Sequence, residues 1–292
     1  MRDSKVVASL LDRCCRDKLC VLIPDVAGFE FSRVSSPADT WTKSLQVLAP
    51  YRKLVCASRK LTTMMDEESQ RGEPCRKLID DNITARLRSM LHDIDVGSDS
   101  SVRELVEHRL PKYLPSSRKV WDDHNSHKKW IAVMQGCLRE ITESTQLKRI
   151  RTTPSNGLIE WLSSTAINAV IFQGLEKRGL DIMVALKLAL EPSVSAGFIS
   201  AMAALAGYWL AFGGIKDVPA KTMTNDLLDL EYAIMGALSR DFCTRDKRAK
   251  IIYESVSAGF EVRLKLSDSA KHLGPHWDRQ IIAMATRGGP PQ

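Results

Sequence analysis

The sequence predicts an α/β protein with few strands and a helical middle, and three observations lead there. A short apolar run, LCVLI at 19–23, is bracketed by two helical patterns, which is the wiring of a parallel sheet. From Trp41 to about Leu190 little reads as strand, so 41–215 is expected as a mainly helical insertion. Near the far end, AGFEVRLKL at 258–266 alternates apolar and polar residues, the pattern of a strand with one wet face. The α/β core is therefore assigned to 1–40 together with 216–292.

Each element follows from local pattern. Residues 1–20 place Val6, Val7, Leu10, Leu11 and Cys14 on one stripe, so they predict a helix. The strand over 19–23 stops at Pro24-Asp25, which also starts the next helix, VAGFEFSRV. Residues 41–66 read as helix, 67–76 as a polar break, and 77–109 as one or two helices interrupted at 95–101. Ser101 and Glu104 have capping-box spacing. A Pro-punctuated loop at 110–118 leads to helices at 126–148, 157–178 and 180–190. The stretch 192–215 carries no charge, long enough for a membrane span. Its Ala, Gly and Ser content, its proline start and its Gly-Gly end favour a buried core helix over a single span. The tail RGGPPQ is read as loose.

Composition limits the function. The chain has 292 residues, 44% hydrophobic, which suits a folded protein with a proper core; its net charge of +7 fits either ordinary surface Lys and Arg or a polyanionic partner such as RNA or DNA. Seven scattered cysteines form no CxxC pair, which argues against a zinc ribbon. The start shows no signal-peptide pattern, so a reducing cytoplasm with free thiols is expected and a membrane is not. His124 and His127 have helix-compatible spacing but no evident third and fourth ligand for zinc; His272 and His276 are separated by Gly-Pro and read as loop residues. Walker, Rossmann and nucleophile-elbow patterns are missing, which leaves nucleotide hydrolysis and serine hydrolase chemistry without support.

The most informative stretch is NDLLDLEYAIMGALSRDFCTRDKRAK at 225–250. Asp226 and Asp229 are three apart, on one helical face, opposite Leu227, Leu230, Ile234 and Leu238. As acids at a helix start they serve equally well as caps and dipole partners. A short strand over 239–246 would set Asp246 beyond its carboxyl end, the edge at which open α/β sheets bind ligands. Carboxylates gathered there repel one another unless a cation sits among them, and Mg2+ or Mn2+ suits oxygen donors.

Two motifs carry a resemblance. LLDLEYAIMGA followed by FCTRDKR resembles the C-terminal half of the PIN-like nuclease family, and KLCVLIPDVAGFEFSR resembles its second strand and following helix. They occur in the family's order and cover about 90 residues, leaving the helical middle outside. The resemblance implies a PIN-like parallel sheet with flanking helices, and metal-dependent hydrolysis of phosphodiester bonds, in RNA. It implies Asp3, Glu30, Asp229 and Asp246 as catalytic metal ligands, with Asp226 as a further ligand. It implies Thr244, Arg245 and Lys247 as phosphate-binding residues. Only Met1 and Arg2 precede Asp3, so the family's first strand lacks its place. A start further upstream, another segment in that place, or a degenerate member each fits. The rival reading is a catalytically degenerate helical module that binds RNA or a protein. An inhibitor protein and a second copy of the chain are further candidate partners.

Overall fold

The computed structural model describes residues 4–32, 36–109, 123–214, 218–244 and 246–271. It is 76% helical and 3% strand, with a single two-stranded parallel sheet among the described residues. The expected PIN-like α/β architecture, a parallel sheet with flanking helices, is thereby overturned. The chain divides into two units, one of residues 1–63 and 76–123, the other of 64–75 and 124–292.

The first unit holds α1 (Ser4–Arg16), β1 (Val21–Ile23), α2 (Val26–Ser32), α3 (Pro37–Gln46), a 3-10 segment (Ala49–Leu54), β2 (Val55–Ala57), α5 (Asp81–Asp95) and α6 (Ser100–Glu104). Between β2 and α5 the chain forms α4 (Leu61–Arg71). The helix–strand–helix order over 4–32 matches the sequence reading. Strand β1 pairs with β2 in parallel, with Leu22 opposite Cys56. Two strands leave an open edge, and α5 satisfies it. Thr84 Oγ1 accepts Ala57 N–H at 2.9 Å, and Arg88 Nε donates to the Val55 carbonyl at 2.9 Å. Helix α5 starts at Asp80, whose carboxylate accepts Ile83 N–H at 2.9 Å. Its Leu87, Met90 and Leu91 then enter a core with Trp41, Leu48 and Val55.

The second unit is all helical among the described residues. Its helices are α7 (His124–Ile141), α8 (Ser144–Thr152), α9 (Pro154–Leu162), α10 (Thr165–Glu176), α11 (Ile182–Leu190), α12 (Val194–Ala211), α13 (Ala220–Ser239) and α14 (Lys247–Lys271). The charge-free stretch becomes α12, which packs against all seven of the others. By length and composition this helix is apolar enough to cross a membrane, yet 89% of that window is buried inside the protein. A buried helix start leaves N–H groups to satisfy. Glu68, itself 0% exposed, accepts Val194 and Ser195 N–H at 2.8 Å each and Cys75 N–H at 3.0 Å, while Ser193 Oγ accepts Ala196 N–H at 3.0 Å. Small residues let neighbours approach: a Cβ on Gly207 would stand 2.7 Å from Trp161 Cη2.

Two strand expectations fail in this unit, for identifiable reasons. The alternation over 258–266 coexists with a helical spacing, since Ile252, Val256, Phe260 and Arg263 are all buried on one face of α14. Residues 240–244 and 246 form no strand. Arg240 ends α13 in the left-handed conformation (φ 66°) and turns the chain back. Phe242 then lies against Gly236, where only the missing side chain gives room (Cβ position to Phe242 Cβ, 2.8 Å). The returning segment carries the chain back toward the Asp226 end of α13, and α14 starts there.

Candidate functional site

The site grows from that return. Asp226 lies in the second turn of α13 rather than at its head, because the helix begins at Ala220. It is 5% exposed, and its Oδ2 forms an ion pair with Arg248 Nη1. The Trp209 side chain adds a hydrogen bond. Arg248 in turn sits over the Tyr208 ring, 5.4 Å from its centroid. Two α12 aromatics thus close the site from behind.

Asp246 caps α14. Its Oδ1 accepts Arg248 N–H at 2.8 Å and Ala249 N–H at 2.9 Å, and its own N–H donates to Thr244 Oγ1 at 3.0 Å. This geometry delivers Asp246 toward Asp226 without any sheet. Burial pushes the Asp226 carboxyl above its ordinary value; Arg248 works against that, and the nearby Asp246 carboxylate pushes it further up. Arg248 experiences the converse: burial lowers its pKa, and Asp226 lifts it above the ordinary value.

The other expected residues divide. Asp229 lies one turn beyond Asp226 on α13 and is half-buried. Lys247 is the exposed first residue of α14, and Thr244 is half-buried beside Asp246. Glu30 is on α2, in the first unit, whereas Asp226, Asp229 and Asp246 belong to the second. Asp3, Arg245, His272 and His276 lie outside the described residues. Among the described residues no group of three or more His, Cys, Asp and Glu has metal-holding geometry, His127 included. Sequence reasoning missed Arg248 and Trp209. Arg248 was visible only as one more cation in the run TRDKRAK, and Trp209 lay in a stretch read purely as core.

Comparison of the chain with protein-family models, with curated proteins and with solved structures gives no match.

Proposed function

We propose that this protein hydrolyses phosphodiester bonds in RNA with Mg2+ or Mn2+, using the carboxylates at the start of α14. The observation that supports this reading is the convergence of Asp226, on α13, and Asp246, the cap of α14, whose carboxylate adds to the burial that pushes the Asp226 carboxyl up. The donor chemistry fits a hard cation. Mg2+ is commonly held by one or two carboxylates, with waters and substrate phosphates completing its shell. Asp226 and Asp246 would hold it as a pair of carboxylate donors.

The bound cation would lower the pKa of a water and offset charge on phosphorus. The remaining work falls to this chain. The positive end of the α14 dipole and the exposed Lys247 favour a phosphate near the helix start. Arg248 pairs with Asp226 and opposes the effect of burial on it, and its guanidinium presents several donors that suit phosphate oxygens. Asp246 keeps one oxygen on the helix cap and leaves the other for a ligand. A net charge of +7 draws RNA to the surface.

The test is cleavage of a labelled single-stranded RNA by purified protein with Mn2+ or Mg2+. Wild type is expected to cut and Asp246→Asn to be inert, since Asn keeps the cap and removes the charge. One observation favours a second reading. Arg248 already neutralises Asp226, as it would in a purely structural pair. On that reading the protein binds RNA or a partner protein and cuts nothing in either metal.

A further inference from the structure

The thiols of Cys20 and Cys56 sit together in the first unit. Cys56 is in β2, directly opposite Leu22 of β1. Cys20 is two residues before Leu22, so strand periodicity turns it to the same face as Leu22 and therefore as Cys56. The two differ in access: Cys20 is exposed and Cys56 is buried, 6% accessible. Arg88, anchored by its bond to the Val55 carbonyl, places Nη2 3.4 Å from Cys56 Sγ. A fixed cation beside one thiol and open solvent beside the other is the arrangement of a reactive pair.

We propose that Cys20 and Cys56 form a peroxide-oxidised dithiol site, in which Cys20 is the attacked residue and Cys56 the resolving one. The Cys20 thiolate attacks one oxygen of a hydroperoxide, the O–O bond breaks, and the alcohol leaves after taking a proton. Cys20 is now a sulfenic acid, oxidised by two electrons. The Cys56 thiolate then attacks the Cys20 sulfur, its thiol proton leaves with the hydroxyl as water, and an S–S bond joins β1 to β2. Burial raises the Cys56 pKa and so does the neighbouring Cys20, while Arg88 opposes both, by charge and by its hydrogen bond. The net effect holds the Cys56 thiol above its ordinary value. Of the cysteines on α1, Cys14 is buried, and Cys15 lies on the other side of the helix-ending turn from Cys20.

The experiment treats the reduced full chain with hydrogen peroxide, alkylates the remaining thiols, and maps peptides without reduction. The expected result is a loss of two thiols from the seven of the chain and a Cys20–Cys56 cross-linked peptide pair. Cys56→Ser is expected to leave Cys20 as a sulfenic acid that dimedone traps. Cys20→Ser, at an exposed position that folding does not depend on, is expected to leave Cys56 reduced. The proposal is overturned if both thiols remain alkylatable after peroxide in the wild type. It is equally overturned if Cys20 is recovered joined to Cys14 or Cys15, or if Cys56 is oxidised in Cys20→Ser. None of these outcomes depends on RNA cleavage.

Discussion

Replacing Arg263 by methionine is expected to stabilise the protein. Arg263 lies on the buried face of α14 with 2% of its surface exposed. Its Nε, Nη1 and Nη2 have no hydrogen-bond partner. The side chain folds back over the preceding turn, where Gly259 leaves room, and its guanidinium stands 5.1 Å from the Phe260 ring centroid. Burial alone lowers its pKa from the ordinary guanidinium value to about 10. That shift corresponds to a cost of about 3 kcal/mol for keeping the charge inside at neutral pH. The cation–π contact returns roughly 0.5–2 kcal/mol. Arg263→Met keeps the packing and removes the charge, so a gain of about 1–3 kcal/mol is expected, within the range seen when apolar residues replace buried charges. The pH dependence has a definite sign. From about pH 10 up to the ordinary guanidinium value the unfolded chain holds the proton more tightly than the folded one, so wild-type stability rises with pH there. The advantage of the variant should therefore shrink as pH climbs above about 10. Urea unfolding of both proteins at pH 7 and at alkaline pH measures this. A variant less stable than wild type by more than about 1 kcal/mol would show that the guanidinium has a partner, and would refute the reasoning.

Three further outcomes are expected. Gly207→Ala sets a methyl against Trp161, itself 2% exposed and bonded through its indole N–H to Thr142 Oγ1 at 3.2 Å, so thermal unfolding should show a loss of about 1–3 kcal/mol. Glu68→Ala strands two buried N–H groups at the start of α12 and the half-buried Cys75 N–H, and should cost about 3–5 kcal/mol, with Glu68→Gln recovering part of it in the same denaturation assay. Asp246→Ala should lose about 1 kcal/mol of helix capping that Asp246→Asn retains, which separates a folding defect from a lost charge when circular dichroism and RNA cleavage are compared.

Local order was readable in the sequence wherever one pattern stood alone. The α1–β1–α2 order came from an apolar run between two helical stripes, and α12 came from a charge-free stretch whose small residues pack closely. Longer-range structure was not readable where two periods overlapped. Val256, Phe260 and Arg263 satisfy a helical face within a stretch that also alternates, and packing against the other helices decides for the helix. Strand β2 was hidden because three residues, Val55–Ala57, sit inside a longer helical pattern, and only pairing with β1 selects the strand. The predicted helix over 126–148 is in fact two, α7 and α8, divided where Glu143 and Gln146 form reciprocal capping bonds. Within the site, Asp246 was expected to meet Asp229 at a sheet edge. It instead comes near Asp226, through a returning segment that forms no strand and a helix cap, which no spacing rule in the sequence announces.

Mn2+ titration followed by electron paramagnetic resonance tests the central claim most directly, because it sees the cation at the carboxylates whether or not the right RNA is in the tube. The account predicts bound Mn2+ in the wild type, and its loss in both Asp226→Asn and Asp246→Asn at unchanged helix content. Mn2+ held equally by all three proteins, or by none of them, would contradict it.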